Sequence, residues 1–194
     1  MTFLELAEAN NVSTDHIDFY NITLKSAFEI FSIVGKVVNN LDVLQRITRE
    51  IIEDYYKSNT CYLELRTGPK EFGDNTMEDY LDAIISVFEE CEEDFPNISV
   101  RLLLSINRSL PMESNIKVFE LAKKYIVENK CKYIAGIEFS GNPNSNSFAD
   151  YVDSIFQPAR DLGIKISVHV AEIKDHDEET DAIFKFKPER LGHC

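Results

Sequence analysis

The chain has 194 residues, 44% of them hydrophobic and 28% charged, which is enough apolar material for one domain with a sizeable core and too much for a disordered chain. Its 34 acidic residues against 20 basic ones leave a formal net charge of -14. That charge repels phosphate backbones and anionic lipid at long range, so it argues against nucleic acid and membrane partners while leaving room for a small anionic ligand met by a local basic group.

Cys61, Cys91, Cys131 and Cys194 stand far apart with no C-x-x-C pair, which argues against a zinc knuckle or redox motif and for a reduced, cytoplasmic chain. The first ten residues lack the basic and long apolar regions of a signal peptide, and no apolar run reaches membrane-spanning length. Residues 1–21 read as a polar N-terminal segment in which His16 is a solvated loop residue. From Thr23 onward, Leu24, Ala27, Phe28, Phe31, Val34 and Val38 recur at helical spacing. A second helix carries the stripe Leu44, Ile47, Ile51 and Tyr55, with Asn40 as its N-cap.

The first strand is Cys61 to Thr67, with Leu63 and Leu65 on one face and Tyr62, Glu64 and Arg66 on the other, closed by Gly68 and Pro69. Thr76 and Asp79 form a capping-box signature that opens a helix through Tyr80, Ile84, Val87 and Phe88. Ile98 to Asn107 is a second strand, and a helix carrying Val118, Leu121, Ala122, Tyr125 and Ile126 follows Pro111. Tyr133 to Ser140 is a third strand, with Glu138 and Ser140 facing the same way. A helix from about Phe148 to Leu162 then ends at Gly163. Ile164 to Glu172 is the fourth strand segment, apolar on one face through Ile164, Ile166, Val168 and Val170, with Lys165, Ser167 and His169 on the other. A short acidic helix near Glu178 to Phe184 leads to a fifth strand that begins around Glu189.

Strands alternating with helices argue for right-handed βαβ units and a parallel sheet. Central strands of an open doubly wound sheet are apolar on both faces. Here every strand carries one polar or charged face, which suits a (β/α) barrel with a polar interior. About five units fall short of eight, so the expectation is a partial TIM barrel formed by residues 1–194 as one domain.

His169, Glu172 and His193 fall at the carboxyl ends of neighbouring predicted strands, where barrel chemistry sits. A histidine metal ligand beside a carboxyl acid or base suits zinc-assisted hydrolysis. The plainer alternative is a His169–Glu172 hydrogen-bonded pair that satisfies a buried strand end, and His193 tips the reading toward chemistry. His176, between two aspartates, reads as exposed.

His169-Val-Ala-Glu172 resembles the His-x-x-Glu motif of the adenosine/AMP deaminase family, and Arg190-Leu-Gly-His193 resembles its Arg-x-Gly-His motif. The segment from Gly136 to Pro143 is similar to the family's Gly-x-Asp-Leu-Ser-Gly-Asp-Pro. Tyr62 to Arg66, with Pro69 and Lys70, looks like the adenosine deaminase-like branch, the N6-methyl-AMP deaminases. The resemblance runs in register from about Thr23 to the last residue. It implies a zinc-dependent purine deaminase on a TIM barrel, acting on a purine nucleotide or nucleoside. By it, His169 ligates zinc, Glu172 protonates ring nitrogen N1 and His193 orients the attacking water. The Gly141 backbone contacts the purine, and Lys70 meets a phosphate.

The chain also departs from the pattern. The family's zinc site includes a His-x-His pair and an Asp-Asp pair, and neither is in this sequence. Gly68 and Glu71 stand where the branch usually shows Thr and Arg, and Asn107 where it shows Asp. The expectation is therefore an incomplete, truncated chain with no turnover of its own and two unpaired sheet edges. An inactive binding or regulatory fragment, or another metal-dependent amidohydrolase, is the alternative, and the oligomeric state is open.

Overall fold

The alternation of apolar and polar residues builds five strands, β1 (Tyr62–Thr67), β2 (Ser99–Asn107), β3 (Ile134–Ser140), β4 (Lys165–His169) and β5 (Arg190–Gly192). They pair in parallel in the order of the chain, β1 to β5. The structure is a computed structural model and describes residues 2–15, 17–18 and 20–193, with only the backbone described at Thr2, Leu24 and Lys25. His16 and Cys194 lie outside the described residues.

Helices connect the strands: α1 (Thr2–Ala9), α2 (Leu24–Val37), α3 (Leu41–Lys57), α4 (Met77–Asp94), α5 (Met112–Lys123), α6 (Ala149–Tyr151), α7 (Gln157–Asp161) and α8 (Asp177–Phe186). The Asn40 cap and the Thr76–Asp79 capping box form as the sequence indicates, the Asn40 side chain accepting from Val43 N–H and the Thr76 hydroxyl from Asp79 N–H. The helix expected from Phe148 to Leu162 is instead α6 and α7 joined by a π-type turn at Val152–Phe156. Pro158 supplies the reason, because it has no N–H to return to the preceding turn.

The sheet is strongly curled. β1 and β5 are its two outer strands, yet the Glu64 carboxylate of β1 lies 2.5 Å from the Arg190 guanidinium of β5. Side chains from opposite edges meet only if the sheet closes toward a barrel, so the architecture is the partial TIM barrel expected. Leu102, Leu104, Ile106, Ile137, Phe139, Ile166 and Val168 point outward and are buried under the helices. Their burial contributes about 1.5–3 kcal/mol each and is the main stabilisation of the sheet. The polar faces line the concave side.

Three readings need correction. The polar segment 1–21 contains α1, with Leu6 and Ala7 buried; an eight-residue helix is too short for its stripe to stand out in polar composition. In α3 the buried residues are Leu44, Thr48 and Ile52, while Ile51 and Tyr55 are exposed. Thr48 tolerates burial because its hydroxyl donates to the Leu44 carbonyl at 2.7 Å. In α2 the buried positions are Ile33 and Val37, and Phe31 is 60% exposed. Both helices are apolar over more than one face, and the expected stripes are split: Leu44 and Val38 are buried in the core, while Phe31 and Ile51 line a cavity.

Candidate functional site

β4 ends at His169, and the Val170 N–H still donates to the Gly192 carbonyl at 3.0 Å, which ties the exit of β4 to β5. The chain then turns through Ala171 at φ 58°, and Glu172 follows in the loop before α8. His193 leaves β5 with φ 66°. A left-handed conformation costs an L-residue about 1–2 kcal/mol. Strain of this kind on both sides of one cluster is typical of functional loops.

The result is the convergence expected from the sequence. One ligand atom from each of His169, Glu172 and His193 lies within 4.8 Å of the others. The His169 and His193 rings meet edge to face at 4.6 Å, and His193 Nε2 is 3.7 Å from Glu172 Oε1. His169 and Glu172 are largely covered, whereas His193 is open to solvent. Two imidazoles and a carboxylate are a donor set that zinc accepts, so these residues fit the metal the motifs imply. They are nevertheless a short set, with two nitrogens and one oxygen.

Glu172 does not act as a hydrogen-bond mate for His169. That partner is Glu138, whose Oε1 is 3.1 Å from His169 Nδ1 and accepts the Ser167 hydroxyl at 3.3 Å. Arg66, from β1, reaches both: its Nη1 is 3.4 Å from Glu138 Oε2 and 2.6 Å from His169 Nε2. Burial alone would raise the Glu138 carboxyl, but the His169 hydrogen bond and the Arg66 charge outweigh it and hold the group below the usual range. The sequence signal was available, since an acid in the middle of a buried strand requires partners. It placed Glu138 on the polar face without naming those partners.

Arg108 was missed as a site residue. It is 3% exposed just past β2, pairs with Glu179 of α8 and stacks over the Phe139 ring at 4.5 Å. Its Nε is buried without a hydrogen-bond partner among the described residues. Arg108, His169, Glu172, His176 and Glu179 share the wall of a cavity of about 10 Å3. His176, read as exposed, is therefore half-buried and precedes the first turn of α8.

A larger cavity of about 710 Å3 opens beside Arg66, between α2, α3 and the carboxyl ends of β1 and β2. Phe31, Val34 and Leu65 give it apolar walls, and Ser105, Asn107 and Lys70 give it polar ones. The Lys70 ammonium donates to the Gly35 and Val38 carbonyls at 3.2 and 2.8 Å, capping the end of α2, and burial lowers its pKa. Gly141 follows β3 at φ 107°, and a Cβ there would collide with Asn107 Oδ1. A side chain is thus excluded at Gly141 on two grounds.

Fold and cluster together define a (β/α)-barrel protein with a candidate metal centre at the carboxyl ends of its strands. The chain belongs to the adenosine deaminase family, whose profile matches residues 5–194. It is 32% identical over 178 residues to an adenosine deaminase-like protein of Drosophila melanogaster, covering 92% of this chain and 52% of that one. The apo structure of the N6-methyl-AMP deaminase from Arabidopsis thaliana superposes with a TM-score of 0.81 at 32% identity, over 99% of this chain and 59% of that one. A crystal structure of arabidopsis ADAL complexed with GMP gives 0.85 at 33% identity, over 99% and 60%. The chain spans about half the length of the curated relatives it matches. Among the described residues, no helix is long and apolar enough to cross a membrane.

Proposed function

We propose that this chain carries the acid and histidine groups of a zinc-assisted hydrolytic deaminase, acting on the 6-amino or 6-alkylamino group of a purine nucleotide. The observation that carries the reading is the meeting of His169, Glu172 and His193 within 4.8 Å at the carboxyl end of the sheet. Water replaces the amine at C6 of the ring: the C6–O bond forms as the C6–N bond breaks, one water proton leaves on the departing amine and the other replaces the proton that Glu172 gives up. Glu172 hands a proton to ring nitrogen N1, which makes C6 electrophilic. His193 accepts a hydrogen bond from the attacking water and holds it over the ring. Zinc, held by His169, would supply Lewis-acid activation of that water.

The 710 Å3 cavity beside Arg66 is large enough for a purine, and its apolar and polar walls suit a flat heterocycle. The Gly141 backbone would contact the base. Lys70 has three N–H groups and spends two on backbone carbonyls, which leaves one for a phosphate oxygen. The arabidopsis relative with GMP supports a nucleotide over a nucleoside.

Zinc sites that catalyse usually have about three protein ligands, and here Glu172 is needed for its proton. The chain alone is therefore expected to bind zinc weakly and not to turn over. In a Zn2+ titration of the purified protein, one weak site should appear and should vanish in His169→Ala; equal binding by that variant overturns the assignment. Incubated with Zn2+ and N6-methyl-AMP, the protein should release no methylamine. Release at enzymatic rates would show that these three groups suffice.

A further inference from the structure

His169 is gripped from two sides by groups whose hydrogen-bonding capacities are fixed. A carboxylate can only accept, and Glu138 Oε1 lies 3.1 Å from Nδ1. A guanidinium can only donate, and Arg66 Nη1 lies 2.6 Å from Nε2, with a longer 3.4 Å approach to Nδ1. The carboxylate favours an imidazole with its proton on Nδ1 and its lone pair on Nε2, whereas the guanidinium, within reach of both nitrogens, lies over the ring and does not choose between them. In water the opposite tautomer of a free imidazole predominates modestly, so this arrangement is imposed by the surroundings.

Glu138 is itself held in place. It sits on β3 opposite Ser167 of β4, which donates to the same oxygen at 3.3 Å, while Arg66 of β1 approaches its other oxygen at 3.4 Å. The carboxylate is 8% exposed, so solvent does not compete for it. Ser167 fills a lone pair that would otherwise be buried without a partner. Three strands thus converge on one carboxyl group next to the ring.

We propose that Glu138 is a positioning residue that selects the Nδ1–H tautomer of His169 and so makes Nε2, once the Arg66 guanidinium withdraws from it, the atom that takes a divalent cation. Nothing in the motifs assigned this role, and it rests on the zinc reading above only for its consequence. A ligating histidine whose second nitrogen is held by a carboxylate is a stronger and better aimed donor. The assignment also gives Glu138 a reason to be charged in the interior. A neutral Gln of the same shape could not bias the tautomer as strongly, because its amide can offer either end to the ring.

The experiment reads the tautomer directly. Long-range 1H–15N spectra of the 15N-labelled, metal-free protein, with the His169 signal identified by loss in His169→Gln, should show a protonated Nδ1 and an unprotonated Nε2. Glu138→Gln should lose that bias, while Glu138→Asp, which keeps the charge, should retain part of it. Zn2+ affinity, measured by competition with a chromophoric chelator, should fall about 10–100-fold in Glu138→Gln and less in Glu138→Asp. A wild-type His169 protonated on Nε2 overturns the proposal even if no variant folds. So does a folded Glu138→Gln with unchanged tautomer and affinity. Because the spectra involve neither metal nor substrate, a protein acting on something other than a purine would leave them as expected. Failure of wild type to bind Zn2+ would remove the metal reading while the spectra still decide the role of Glu138.

Discussion

Beneath β3 and β4 the space between sheet and helices is filled; beside β1 it is not. On the filled flank Phe139 meets Phe148, Tyr151 and Phe156 at centroid distances of 5.1–5.6 Å, and Phe186 closes the cluster from α8. On the other flank α2 and α3 present Phe31, Val34 and Ile51 to a 710 Å3 cavity. The same residue types are used on both. The difference is what they face, and the candidate site lies where the two meet: His169 and Glu172 stand above the aromatic cluster, and Arg66 stands on the cavity wall. A rigid flank that holds groups in place beside an open flank that can admit a ligand is an arrangement suited to binding a small molecule.

The largest effect expected from this contrast is on stability. Phe139→Ala removes a ring that is fully buried among three others, and should lower the unfolding free energy by about 3–5 kcal/mol in urea titrations. A drop below about 1 kcal/mol would mean that the aromatic flank is loosely packed. Next comes Arg108→Met, which leaves the Glu179 carboxylate with its Phe148 N–H but without its cation. Breaking a largely buried pair from one side costs about 3 kcal/mol, and the double variant with Glu179→Gln should recover part of that loss.

The filled flank was also the legible one. Along the strands, period-2 alternation placed Leu63, Ile166 and Val168 on apolar faces that are buried, because a one-residue slip in β1 or β4 would turn that face over. The placement of His169, Glu172 and His193 followed from strand ends and motif spacing. What failed was the phase of α2 and α3. Periodicity reports which positions are apolar and not whether protein or a cavity lies opposite, so Phe31 and Ile51 read no differently from Val38 and Leu44, which are buried. Arg108 and the partners of Glu138 were beyond reach for another reason. Their contacts join β1, β3, β4 and α8, and no local pattern records which distant strand a charge will meet.

The charges on the concave side connect the two flanks and predict an acid response. Burial would raise the Glu64 carboxyl, yet Arg190 and the Tyr62 hydroxyl overcome it, and the group is held below its usual value, as Glu138 is. A depressed folded-state pKa contributes stability that is fully present above the unfolded value of about 4.3 and is lost as pH falls through the folded one. The urea midpoint should therefore hold from neutrality down to about pH 5 and drop below it. In Glu64→Gln the drop should be shallower, because one of the titrating groups is gone. An identical slope would show that Glu64 and Arg190 do not join the sheet edges in solution.

The smallest stability effect belongs to Phe31→Ala, and it tests the open flank most directly. Phe31 is 60% exposed, so its removal should change the unfolding free energy by no more than about 0.5 kcal/mol. If the cavity takes a purine, however, an aromatic wall beside the base contributes about 1–3 kcal/mol of stacking. GMP affinity measured by calorimetry should then fall by about thirtyfold at the middle of that range, in a protein whose unfolding curve is unchanged. Lost stability together with lost binding would mean that Phe31 packs as core and that the cavity closes in solution. An intact affinity would mean that the base keeps its contact with Gly141 at the strand ends without reaching Phe31, and would leave α2 with only the role of anchoring Lys70.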